Sequence, residues 1–307
     1  MLGTGNSIYK ETNMGALKDY FDEIEGQYYH IVEDENEMKW FFDHVISKPE
    51  PWESYMICLS ARSKKLTPDE REIYQLGRGE MMRTEIIRSK GGNWNFNIYK
   101  QGPYKYNCNK LSMLTKTGLP YPEKCLVCYA YVNPSDELKC VSDTFEFYNK
   151  MQQELIESYR KNSKDGIEDH LTKLPKIFEH LRSCHATNLS RRIWRDIDID
   201  LFDELKKDEE KRKEIEGNLE FEFTEKFGKS NFTIIKTSGG YHCLIRVSSI
   251  NSNLKVFCEK LNLIGNFFEE IKLTEAGSQF VPLPGTLQYG NLVKVINKED
   301  FNEILKK

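Results

Sequence analysis

Residues 191–200 read RRIWRDIDID, and the fold turns on how that run is paired. Asp196, Asp198 and Asp200 stand at every second position, with Ile193, Ile197 and Ile199 before and between them. Alternation of period two is the pattern of a half-buried strand, on which alternate residues share a face. All three carboxylates then point the same way, spaced by roughly 6–7 Å. Asp is disfavoured in strands, and like charges at that spacing repel by about 2–3 kcal/mol at an effective dielectric near 20. A cation between the charges relieves the repulsion, and all-oxygen ligands favour Mg²⁺ or Mn²⁺. A pair of such ions on a carboxylate platform is the apparatus of phosphoryl and nucleotidyl transfer. The ordinary alternative is a strand end fraying into solvent at Asp200.

Downstream of this strand the sequence predicts a charged helix at about 201–216 ending at Gly217. Strands follow at 231–237 and 241–248, then a helix at about 252–270 and a last strand at about 292–297. The order βαββαβ is that of an RRM-like or ferredoxin-like antiparallel sheet, the core of the palm in many polymerases; fold analogy alone is a weak warrant for function. In KTSGGYHCLIR, residues 236–246, Ser238, Gly239 and Gly240 permit a sharp turn. Exposed N–H groups of such a turn form an anion-binding concavity. Gly240, His242 and Leu244 share one strand face and Tyr241 and Cys243 the other, so His242 projects beside whatever the turn holds. A donor imidazole suits a triphosphate; a plain hairpin with a half-buried histidine is the other account. In FVPLPGTLQYG, residues 280–290, Pro284-Gly285 signals a type II turn that presents Thr286 and Gln288. Alone it is simply a turn.

The first part predicts a mixed α/β arrangement. YMICLSA (55–61) and CLVCYAYV (125–132) are apolar strands, and Thr67-Pro68-Asp69-Glu70 is a capping box that starts a helix. Trp94, Phe96 and Ile98 alternate with Asn93, Asn95 and Asn97, which suggests another strand, with ordinary core packing for Trp94 and Phe96. Phe147, Met151, Leu155 and Tyr159 mark a helical stretch over about 143–183, broken around Lys164–Gly166. The class is therefore α+β. An N-terminal module (1–142) and a helical connector (143–190) pack with an RRM-like palm module (191–307) as one composite catalytic domain.

With 307 residues, 39% hydrophobic and 12% aromatic, the chain can bury a real core. Its formal net charge of −4 argues against a protein that coats nucleic acid indiscriminately. Local basic grooves remain open to Arg182, Arg191, Arg192 and Arg195, and to Arg62, Lys64 and Lys65. The polar N-terminus and the lack of an apolar run near the ~18 residues of a membrane span predict an intracellular, soluble protein. Eight cysteines in that setting are not expected to form disulfides. Cys108, Cys125, Cys128 and Cys140 make a zinc site conceivable, but the irregular spacing and the buried strand around Cys128 argue against zinc as a cofactor. Gly228-Lys229-Ser230 lacks the upstream glycine of a phosphate loop, since position 223 is Phe. No GxSxG elbow supports a serine hydrolase.

Together, the DxD strand, the SGGxH turn-strand and the PGTxQxG segment resemble the archaeo-eukaryotic primase superfamily, closest to the primase-polymerase branch of phages and mobile elements. ICLSARSKK (57–65) and LVCYAYVNPSD (126–136) extend the resemblance weakly into the first part. It covers most of residues 50–297, with the strong motifs within 193–290. The resemblance implies a template-directed nucleotidyl transferase using NTPs or dNTPs. Asp196 and Asp198 would bind two divalent ions, with Asp198 and Asp200 as the other register, and His242 would serve catalysis. Ser238, Gly239, Gly240 and His242 would contact the triphosphate, flanked by Lys236 and Arg246. Basic and aromatic residues of the first part, such as Arg62, Lys65, Tyr104 and, if it is not core, Trp94, would meet a single-stranded DNA template, and a separate helicase would do any unwinding. The family's third metal carboxylate has no match in FVPLPGTLQ; Glu275 or Asp200 would have to substitute. That departure motivates an alternative, a catalytically weak or inactive primase-like module that binds nucleotide or nucleic acid.

Overall fold

In this computed structural model the described residues are 26–298 without 78, 162, 167, 169–175 and 275–279. Along the chain, α1 (Glu35–His44) starts at Asp34, whose side chain accepts from the Asn36 and Glu37 N–H groups. β1 (Glu53–Ala61) is buried on both faces apart from Ser60, as a central strand should be. Thr67 caps α2 (Pro68–Tyr74) through the reciprocal box with Glu70. β2 (Glu80–Arg88), which the sequence did not signal, returns antiparallel along β1. The alternation around Trp94 misleads: Asn95 accepts from the Ile98 N–H and caps a helix, α3 (Phe96–Tyr104), so no strand forms.

β3 (Leu126–Tyr131) pairs with β1, and β4 (Ser135–Asp136) pairs with the start of β1. The expected helical stretch is divided between α4 (Glu137–Arg160) and α5 (Lys176–Thr187), which pack on each other. β5 (Trp194–Leu201) carries the aspartates. α6 (Glu209–Phe227) begins later than 201 because Asp208 is the residue that caps it, and it runs through the exposed Gly217. β6 (Phe232–Lys236) and β7 (Gly240–Arg246) form the hairpin around Ser238. α7 (Leu254–Asn262) stops short of 270: Gly265, at φ +71°, turns the chain into β8 (Phe268–Leu273). β9 (Phe280–Pro282), β10 (Leu287–Gln288), β11 (Asn291–Leu292) and β12 (Lys294–Val295) complete the path.

Both sheets are antiparallel, so the chain is of mixed α+β class. The first has the order β11-β10-β3-β1-β2, with β4 beside β1 and β9 beside β3; the second has the order β12-β6-β7-β5-β8. The strand expected at 292–297 is thus split between sheets, β11 in the first and β12 in the second, with the fully buried Val293 alone between them. β5 lies between β7 and β8. Residues 280–292 belong to the first sheet, not to the one that holds the aspartates.

On β5 the apolar face, Ile197, Ile199 and Leu201, packs with Tyr241 and Cys243 beneath Leu219 and Phe223 of α6 and Phe257 of α7. The opposite face looks toward the first sheet. There Trp194, Ile235 and Leu244 join Tyr55, Ile57, Val281 and Val295 in one core that is continuous across both sheets. Fully burying each such side chain contributes about 1.5–3 kcal/mol. The Trp194 indole N–H donates to the Val45 carbonyl at 2.9 Å, which satisfies the one polar atom of that ring. No described helix is long and apolar enough to cross a membrane.

Candidate active site

Strand register decides what faces the aspartates. Asp196 lies opposite Leu244, Asp198 opposite His242 and Asp200 opposite Gly240 on β7; on the other flank Asp198 meets Lys272 and Asp200 meets Glu270 of β8. Cross-strand partners share a face, so three carboxylates, an imidazole and a lysine are gathered on one surface. His242 Nδ1 lies 3.0 Å from Asp196 Oδ2, and its Nε2 lies 3.6 Å from Asp198 Oδ1. Thr274 Oγ1 donates to Asp196 Oδ2 at 3.1 Å. Asp196 is only 2% exposed, and its other oxygen, Oδ1, is buried without a hydrogen-bond partner. An orphaned buried carboxylate oxygen is costly unless a donor or cation meets it.

Burial alone would push the His242 pKa down. The charge and hydrogen bond of Asp196 outweigh it, with Asp198 and Asp200 adding, and raise the imidazole to about 9. It is therefore an imidazolium at neutral pH. Asp198 is raised, first by burial; His242 pulls it back, and the charges of Asp196 and Asp200 push it up again.

This surface forms one wall of a cavity of about 570 Å³ between the two sheets, a size typical of small-molecule sites. Thr237, Ser238 and Gly239 extend that wall. The opposite wall is cationic and aromatic: Arg62, Lys64 and Lys65 follow β1, and Tyr129, Phe280 and Tyr289 come from the first sheet. Arg62 Nη1 donates to the Tyr129 hydroxyl at 2.9 Å, and the Lys65 ammonium sits 5.7 Å from the Tyr289 ring centre. Asp203, Lys206 and Lys272 also line the cavity.

The Ser238 turn differs from expectation. Its N–H groups are engaged: Ser238 N–H and Oγ both reach Gln288 Oε1, at 3.0 and 3.3 Å, while the Gly239 and Gly240 N–H groups donate to Thr237 Oγ1. The Gln288 oxygen holds the position an anion would take. Gly240 is required by β5, because any Cβ there would overlap the Ile199 carbonyl oxygen.

The structure brings Asp196, Asp198, Asp200, His242, Ser238, Gly239, Arg62 and Lys65 to one cavity and leaves other candidates outside it. Lys236 alternates with Ile235 on β6, so it turns to the helix side and pairs with Glu209 at 3.2 Å and Glu216 at 3.0 Å. Arg246 lies over the Trp194 ring, 4.8 Å from its centre. Thr286 is fully buried and donates to the Leu283 carbonyl. None of Arg182, Arg191, Arg192 and Arg195 lines the cavity; Arg191 is committed to Glu53. Trp94 packs among Phe42, Tyr55 and Tyr99, and the Tyr104 hydroxyl donates to Glu35. Glu275 lies outside the described residues.

Sequence reasoning missed Lys272 and Thr274, because the helix was drawn on to about 270 and no strand was assigned after it; the alternation Glu270, Lys272 against Ile271 and Leu273 was the available signal. It also missed Tyr129, Lys206, Phe280 and Tyr289, which only the folded topology brings here. Among the described residues no three His, Cys, Asp or Glu side chains form a ready-made metal cluster, and the imidazolium rests on Asp196 instead. Cys125 and Cys128 lie in the first sheet's core, with Cys140 beside Cys184 and Cys108 beside Arg83. Comparison with protein-family models, curated proteins and solved structures finds no match to this chain.

Proposed function

We propose that the chain is a DNA primase or primase-polymerase, a template-directed nucleotidyl transferase that takes a Mg²⁺- or Mn²⁺-bound nucleoside triphosphate into this cleft. The observation that carries the reading is the unpartnered Asp196 Oδ1 within a row of three carboxylates, facing a cationic wall across one cavity. The second sheet supports it: β5 and β7 are central, β6 and β8 flank them, and the β-α-β-β-α-β succession is that of an RRM-like palm.

The donor set fits the ions, since hard divalent cations take carboxylate oxygens. Asp196 and Asp198 would hold them, with Asp200 as further ligand or second register. Bound there, the ions would lower the pKa of a 3′-hydroxyl and neutralise the departing pyrophosphate. His242, whose Nδ1 is engaged with Asp196, would orient that carboxylate and stand beside the phosphates. Arg62 and Lys65 supply opposing charge from the far wall, so the protein's part is positioning and electrostatics rather than covalent chemistry. Single-stranded template would be held through phosphate contacts that weaken with salt, and unwinding would fall to a separate helicase.

A primer-synthesis assay with labelled nucleotides, Mn²⁺ and single-stranded DNA tests this. Product is expected from the wild type and not from Asp196→Ala/Asp198→Ala. One observation favours a second reading: β8 places Lys272, not a carboxylate, opposite Asp198, and pairs it with Glu270. A primase-like module that binds nucleotide without turnover would give no product with any template or metal while nucleotide binding persists.

A further inference from the structure

We propose that Tyr289 is a positioning residue that sets Arg62 and Lys65 as a polyphosphate grip across the cavity from the aspartates. The proposal rests on the cleft being a metal–nucleotide site. β10 and β11 pair Gln288 with Asn291, so Tyr289 and Gly290 are the two loop residues, at φ +53° and +78°. A two-residue turn with positive φ at both places calls for Asn-Gly or Asp-Gly. Gly290 obeys that rule and Tyr289 breaks it. A bulky aromatic at positive φ is an outlier, and such strain persists where the side chain has a task the turn does not set.

The contacts show the task. The Tyr289 N–H donates to the Leu126 carbonyl at 3.0 Å, which fixes the hairpin against β3. The half-buried ring lines the cavity beneath the Lys65 ammonium. Arg62 donates to the Tyr129 hydroxyl at 2.9 Å, and the Tyr289 hydroxyl lies beside that pair, close enough to feel the Arg62 charge. Arg62 and Lys65 form no ion pair among the described residues, so their charge is held by phenol rings and aimed at open space. Asp196, Asp198 and Asp200 line the same space. A ligand that fills the gap must answer anions on one side and cations on the other, which is what a divalent metal polyphosphate does.

The experiment is calorimetric titration of Mg²⁺-tripolyphosphate into the full chain, with melting temperature recorded for each variant. Tyr289→Asn, which suits the turn, is expected to bind about tenfold more weakly while melting no lower than wild type. Tyr289→Phe keeps the ring beneath Lys65 and loses only the hydroxyl, and is expected to lose about threefold. In an Arg62→Gln background Tyr289→Phe should have no further effect, a coupling that a purely structural tyrosine would not show. Unchanged binding in Tyr289→Phe, additive losses in the double variant, or a lowered melting temperature in Tyr289→Asn would each overturn the proposal. So would a wild type that does not bind tripolyphosphate. Wild-type binding that is coupled to Tyr289 but accompanied by no primer synthesis leaves this inference standing and removes the polymerase reading alone.

Discussion

Burial raises the pKa of the Asp198 carboxyl, His242 draws it back, and the neighbouring charges of Asp196 and Asp200 raise it again. At neutral pH and without divalent ions that charge is a burden on the fold. Asp198→Asn is therefore expected to raise the melting temperature of metal-free protein by about 2 °C, a figure discounted for the group's partial exposure, and to abolish primer synthesis. Millimolar Mg²⁺ should raise the melting temperature of the wild type and leave Asp196→Ala/Asp198→Ala unmoved; an equal rise in both would remove the aspartates as ligands. His185 supplies a pH signature away from the cleft. It is 1% exposed in α5, and burial lowers its pKa from the ordinary 6.5, against Glu137, which raises it, and with Arg88, which lowers it further. The unfolded chain thus takes up the proton more readily, and stability present above pH 6.5 is lost as pH falls below it. Urea unfolding at pH 7.5 and 5.5 should show that loss, and His185→Gln should flatten the slope whatever its effect on absolute stability. At this scale the sequence was informative: period-two spacing placed the three aspartates on one face of their strand and His242 on the Gly240 face of its own, because strand geometry leaves a side chain two choices of face. The register of β5 with β7 makes the two faces one surface.

Two glycines separate close approach from mere tolerance among the elements. At Gly240 a Cβ would overlap the Ile199 carbonyl oxygen, so Gly240→Ala must part β7 from β5. A cost of about 3 kcal/mol or more in urea unfolding is expected, or failure to accumulate as folded chain. Gly217 is exposed within α6 with open space around it. Gly217→Ala is expected to stabilise by about 0.5–1 kcal/mol in the same measurement. The same contrast explains what was legible. Gly217 was taken for a helix end, yet α6 simply runs on, since interior glycine costs less than packing against β6 returns. Asn95 was counted as the polar half of a strand and instead caps α3, because its side chain competes for a backbone N–H. Residues 263–270 were read as helix, although Gly265 at positive φ ends it and frees β8 to pair with β5.

For the whole molecule the decisive fact is connectivity. The path runs through the first sheet to β4, into the second for β5 to β8, back for β9 to β11 and over again to β12. No local pattern in FVPLPGTLQYG tells which sheet that segment joins, and so the partnership of Gln288 with Ser238, and of Tyr289 with Arg62, could not be read from sequence. A fragment of residues 191–307 would strand β9 to β11 without β3 and open the shared core at Trp194 and Val295. It is expected to show no cooperative thermal transition, whereas the full chain should melt in one; a fragment that melts sharply would mean the sheets are independent. The crossing from β11 to β12 takes a single residue, Val293, sealed from solvent. A link that short, with the apolar core continuous across both sheets, ties the two walls together at that edge.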